Sequence, residues 1–357
     1  MGKAKKNKKQ KKLGSLLLLL FLTVIMLATS TYAWFTANKT VTIQNIDIYV
    51  SSSTGLQIST NATDWKTLIS NSDITTGYTL TSGENTLEDK NMFPQQLAPV
   101  STVGAATGGY LNMYSGVVAA DEADGGIFKL TSAKLEEAKG TTGSFVAFDV
   151  FVKTDKVENL YLQTGSGVIK TADQSSSDGL QYATRIALVT EGTGSANDTP
   201  YDLANKFGAT QVKILEPNFD GHTQYGITQG MQYYGKYKYD NGGTQQALSA
   251  STLTAGTTGN GAVIYDGVKA DITTAIPLAQ TNATDNSTYF GTVTTIPTAT
   301  AFSEAAEGTT NLLLYENFPA GVTKIRVYMW VEGQDIDCEN NASGAYLTYK
   351  LAFTQTA

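Results

Sequence analysis

The sequence predicts an all-β fold, an antiparallel jelly-roll-like β-sandwich with long inserted loops or a small β-lobe. Three observations point there. Apolar and polar residues alternate near both ends of the 357-residue chain. Gly, Thr, Ser and Asn are abundant and only seven residues are proline, a composition of strands and turns. Helical periodicity is scarce.

The first strand is expected at 41–50. Val41 and Ile43, then Ile46, Ile48 and Val50, form two alternating sets offset by one residue, as a strand bulged near Gln44-Asn45 does. Gly55 to Ser59 is the expected hairpin partner. The stretch Ser144 to Lys153 is apolar on nearly both faces, the mark of a central strand covered by two layers. Val157 to Leu162 and Tyr182 to Thr190 continue the pattern. Toward the carboxyl end, Ile325, Val327, Met329 and Val331 share one strand face, and Leu347, Tyr349, Leu351 and Phe353 share one face of the last. Helix is expected only at Ser132 to Lys139, where Leu135, Glu136 and Glu137 favour about two turns.

Between about residues 165 and 310 the apolar runs shorten and Gly, Thr, Ser, Asn and Ala become dense. This predicts long loops and hairpins inserted into one sandwich spanning 34–357, because the clearest strands flank the stretch on both sides.

Residues 1–33 have the order of an export signal. Seven lysines (Lys3, Lys5, Lys6, Lys8, Lys9, Lys11 and Lys12) precede the apolar run Leu16 to Ala28. As a helix that run rises about 20 Å at ~1.5 Å per residue, short of a ~30 Å hydrocarbon core. Cleavage between Ala33 and Trp34 by a signal peptidase is the favoured reading. The alternative is a retained anchor, with Tyr32, Trp34 and Phe35 at the outer interface and the lysines inside. Either way residues 36–357 lie outside the cell or on its surface, and membrane contact is confined to an uncleaved signal segment.

Removing the seven leader lysines from the formal charge of −7 leaves −14. Such a surface repels phosphate, which disfavours nucleic acid as a partner. A single cysteine, Cys338, rules out an internal disulfide framework, so stability has to come from sheet packing. His222 is the only histidine. That excludes the two-histidine zinc helix and multi-histidine metal sites. No G-x-S-x-G elbow accompanies His222 and Asp220, and paired glycosidase carboxylates have no spacing by which a sequence identifies them. The chain is therefore expected not to be an enzyme and to carry no cofactor.

Two constellations remain. Asp335, Asp337 and Glu339 alternate within 332–341 and would offer several oxygens to calcium. The EF-hand order is missing, however, and an acidic hairpin between strands 324–331 and 346–354 is the plainer account. Tyr233, Tyr234, Tyr237 and Tyr239, interleaved with Gln232, Lys236 and Lys238, form the amphipathic kind of surface that stacks on sugars or grips proteins.

The leader closing in Thr31-Tyr32-Ala33-Trp34-Phe35-Thr36, followed at once by a β-strand, resembles the TasA/camelysin group of Gram-positive surface proteins. The strand, turn and strand from Phe145 to Leu162 are similar to a sandwich strand pair in that group. The resemblance covers the signal, the first strand and a few core strands, not the insertion. It implies a secreted or surface-displayed jelly roll that self-associates into biofilm-matrix fibres by passing one copy's amino-terminal strand into the next. The lone histidine departs from any protease activity in the group. Independently of the resemblance, a bulged strand beside a freshly cut terminus is expected to be free to leave its sheet and add to an exposed edge. Such head-to-tail exchange does not close and so propagates. The alternative function is a non-polymerising surface adhesin that binds carbohydrate or host protein through the tyrosines.

Overall fold

The computed structural model describes residues 41–51, 55–121, 127–170, 179–218, 237–239, 245–247, 276–277, 302–304, 311–333, 338 and 346–356. The amino-terminal strands are β1 (Val41–Val50), β2 (Gln57–Ser59), β3 (Leu68–Ile69), β4 (Thr79–Ser82), β5 (Asn85–Glu88), β6 (Gln96–Leu97) and β7 (Ser101–Thr107). There follow β8 (Tyr110–Asp121), β9 (Ile127–Leu135), β10 (Val146–Thr154), β11 (Glu158–Leu162), β12 (Gly167–Lys170), β13 (Thr184–Gly194) and β14 (Gln211–Glu216). The last are β15 (Tyr237–Tyr239), β16 (Gln245–Ala247), β17 (Ile276–Pro277), β18 (Phe302–Glu304), β19 (Leu312–Phe318), β20 (Gly321–Val331) and β21 (Tyr346–Thr354). Short helices sit at Asn71–Thr76 and Pro200–Ala204.

Two sheets form the sandwich. One has the order β19-β11-β21-β1-β3, with β12 also on β21 and β6 on β1; the other runs β18-β14-β13-β20-β10-β2. Between them lies the main core, which takes Ile46 and Ile48 of β1, Phe148 and Val150 of β10, Ile325, Val327 and Met329 of β20, and Leu347 and Tyr349 of β21. Cys338 is buried in the same core. The predicted strand faces are thus the inward faces, as two-residue periodicity requires. Most pairings are antiparallel, but β1 lies parallel to β21 and β14 to β18.

A third layer covers the outer face of the second sheet. Strands β7, β8, β9 and β17 form their own sheet. Leu111 and Met113 of β8 pack on Phe145, Ala147, Ala187, Val189, Tyr328 and Trp330. Consequently β20 is buried at every position from Val322 to Val331, with apolar residues on both faces and two cations among them.

Four sequence expectations are corrected. First, Gly55 to Ser59 does not form a hairpin with β1, because β2 pairs with β10 in the opposite sheet. Both flanks of β1 are taken at that end: Val50 N donates to Thr67 O and Ser51 N to Phe353 O. Second, Ser132 to Lys139 is not helical; β9 extends through Leu135 as the partner of β8, and tertiary pairing overrides a weak local propensity. Third, strands 324–331 and 346–354 are not a hairpin. Each side of β20 is occupied, by β10 and β13, so the chain crosses to the other sheet before β21. Fourth, the stretch 165–310 is not all insertion: beside the strand expected at Tyr182 to Thr190, which falls largely in β13, the strands β12, β14 and β18 are built into the two sheets.

Candidate functional site: the seat of the first strand and a buried charge cluster

The sequence Val-Thr-Ile-Gln-Asn-Ile-Asp-Ile-Tyr-Val suits a strand through its β-branched residues. Ile43 pairs with Leu347 and Asn45 with Thr348, so Gln44 is the extra residue of the bulge. That one-residue slip lets both sets of apolar side chains face inward, and Val41, Ile43, Ile46, Ile48 and Val50 are between 0% and 6% exposed. The bulge predicted near Gln44-Asn45 is present, and all five residues of the expected assembly strand are brought together on one core face.

The strand is held along both edges. On one side β21 runs beside it from Thr42 to Val50. On the other, β6 pairs with Val41 and Thr42, and β3 with Ile48 and Tyr49. The gap between them is filled by a side chain, Asn71. Its Oδ1 accepts from Ile46 N at 2.7 Å and its Nδ2 donates to Gln44 O at 3.2 Å. Asn71 thereby pairs the backbone groups that β6 and β3 leave uncovered on that edge. Sequence reasoning did not single out Asn71, since no periodic signal marks a side chain that substitutes for backbone.

A buried charge cluster lies on the outer face of the second sheet. Asp149 of β10 stands opposite Arg326 of β20 in register, and Arg326 Nη1 donates to Asp149 Oδ1 at 2.7 Å. Tyr78 Oη donates to Asp149 Oδ2 at 2.7 Å. Arg326 also donates to Lys90 O at 2.8 Å and, through Nε, to Glu137 Oε2 at 2.9 Å. Glu137 accepts from Tyr328 Oη as well, so the residue expected in a helix instead clamps the face of β20. Lys324 Nζ lies 2.7 Å from Glu191 Oε2 of β13 and 3.4 Å from Asp149 Oδ2.

The electrostatics separate the two acids beside Lys324. Burial alone would raise Asp149, but the Arg326 guanidinium and the Lys324 ammonium outweigh it and hold the carboxyl below its usual range. Burial dominates at Glu191 and pushes it up to about 7, against the pull of Lys324 and with repulsion from Asp149. One carboxyl is therefore firmly ionised, and its neighbour exchanges its proton near neutrality.

The other expected sites fall as follows. Ala33 and Trp34 lie outside the described residues, as do Asp335, Asp337 and Glu339, Tyr233 and Tyr234, and His222. Tyr237 and Tyr239 lie two positions apart in β15, which pairs with β16. A shallow cleft of about 70 Å³ is lined by Ser59, Asn61, Asp64, Lys66 and Asp73. Its polar groups pair among themselves, with Asn61 Oδ1 accepting from Thr63 N and Asp64 N, and Lys66 bound to Asp73. Among the described residues no group of three or more metal-ligating side chains occurs, and no helix is long and apolar enough to cross a membrane. Comparison of the chain with family models, curated proteins and solved structures finds no match.

Proposed function

We propose that the chain is an exported cell-surface structural protein, a fibre or biofilm-matrix subunit in which β1 of one copy seats in the groove of the next. The observation that carries this reading is the seat of β1, an amino-terminal strand that completes the core from a groove with a rail on each side. The lysine-rich leader, its apolar run and the cleavage-compatible Ala33 support export. An exchanged strand recovers what it gives up, because the neighbour offers the same β21 rail, the same β3 and β6 contacts and the same Asn71 clamp.

Energetics refine the expectation that β1 leaves its sheet freely. Burying each of five large apolar side chains is worth about 1.5–3 kcal/mol, and a whole domain is typically stable by only about 5–15 kcal/mol. A copy that vacates its groove does not stay folded. Exchange therefore belongs to the folding step, when a groove is filled by whichever strand arrives first.

The test is a chain beginning at residue 51, prepared with and without a synthetic peptide of residues 34–50. Alone it is expected to fold poorly and to form no filaments by negative-stain imaging. With the peptide it is expected to fold as a capped monomer, while the chain from residue 34 polymerises. Filaments from the truncated chain alone would refute strand exchange.

A further inference from the structure

The geometry points to a self-catalysed side-chain cross-link: Lys324 Nζ attacks Glu191 Cδ to form an amide bond between β20 and β13, with Asp149 relaying the protons. Three buried groups on three adjacent strands make this arrangement. Lys324 is 1% exposed, Asp149 1% and Glu191 2%. The nitrogen stands 2.7 Å from Glu191 Oε2 and 3.4 Å from Asp149 Oδ2, in direct contact with both carboxyl groups.

The roles follow from what each group touches. Lys324 Nζ donates to Ala204 O at 2.9 Å and Lys206 O at 3.1 Å. Two of its hydrogens are thus held by backbone carbonyls, and the third position, the lone pair once a proton leaves, is directed to the carboxylates. Asp149 is fixed as an anion by Arg326 and Tyr78, which makes it a poor electrophile and a well-placed proton acceptor. Glu191 has Lys324 as its ion-pair partner, and its Oε1 has no hydrogen-bond partner among the described residues. Near neutrality it samples the neutral acid, the form that an amine attacks.

Water is kept from the site. The centroid of the Phe207 ring lies 4.0 Å from Lys324 Nζ. Gly109, at φ +87°, lets the β7–β8 turn close over Glu191, where a Cβ would come within 2.9 Å of Oε1. A dry site favours loss of water over hydrolysis.

The step balances without a further reagent. The Nζ–Cδ bond forms and one Cδ–O bond of Glu191 breaks. Of the three ammonium hydrogens, one stays on the amide nitrogen and two leave on the departing oxygen as water, passed through Asp149. The product is a covalent tie between neighbouring central strands in a chain whose single cysteine permits no internal disulfide. This inference does not depend on how copies assemble.

The test is the intact mass of the folded full chain with its termini sequenced, followed by tandem mass spectrometry of a digest. The expected result is a mass one water below that of the sequence and a branched peptide joining Lys324 to Glu191. Lys324→Arg keeps the cation and the ion pair but supplies a far weaker nucleophile, and Glu191→Ala removes the electrophile. Both are expected to show the full mass, and Lys324→Arg is expected to melt below the wild-type chain. A folded wild-type chain of full mass would overturn the inference. A branch from Lys324 to Asp149 would overturn the assignment of Glu191.

Discussion

Asp149→Ala is expected to lower the unfolding free energy by about 3–5 kcal/mol, the cost of removing one partner from a buried ion pair. The loss is large because Asp149 serves three groups at once. Arg326, 2% exposed, would keep Glu137 and Lys90 O but lose its in-register carboxylate on β10. Tyr78 Oη would lose its acceptor, and Lys324 Nζ the carboxylate that lies 3.4 Å away. Urea denaturation followed by the fluorescence of buried Trp330 measures the change. The same group sets an acid limit. Its folded pKa is depressed, so its contribution to stability is fully present above the unfolded carboxylate value and is lost as pH falls through the lower folded one. The wild-type chain is expected to unfold in that acid range, and Asp149→Ala to lack this part of the pH dependence.

Ile48→Asp is expected to abolish both folding and assembly. Ile48 is fully buried, paired with Leu351 on one side and Ile69 on the other. Truncation to alanine at such a site costs about 2–5 kcal/mol; a carboxylate there adds the penalty of an unpaired buried charge. Because the groove that holds β1 within one copy is the groove that would receive a neighbour's β1, one substitution closes both routes. Gln44→Ala, at the exposed bulge position, should leave folding nearly unchanged. Circular dichroism and sedimentation of the variants check these outcomes.

Much of the sandwich was legible in the residues. Alternation marked the inward faces of β1, β20 and β21, the offset between Ile43 and Ile46 marked the bulge, and the two-faced apolar run at Ser144 to Lys153 marked β10 as central. Partners were less legible, because periodicity tells which face is inward and not which strand lies alongside. Hence the parallel pairing of β1 with β21 and the departure of β2 to the opposite sheet went unforeseen. The charge cluster was hidden for a related reason. Lys324 and Arg326 alternate with Ile325 and Val327, a pattern of one buried and one wet face, and only the layer of β7, β8 and β9 turns that second face into a core. Glu137 was concealed by its helix-favouring neighbours, since its role comes from Arg326 and Tyr328, remote in sequence.

The most direct test of strand exchange uses the register of β1 on β21. Asp47 stands opposite Lys350, so Asp47→Cys with Lys350→Cys, in a Cys338→Ala background, places a disulfide between the two strands. The assembled protein is oxidised and run on a non-reducing gel. Exchange predicts a ladder of covalent multimers that collapses on reduction. A disulfide confined to single chains in the filament fraction would show that each copy keeps its own β1, and would contradict the account.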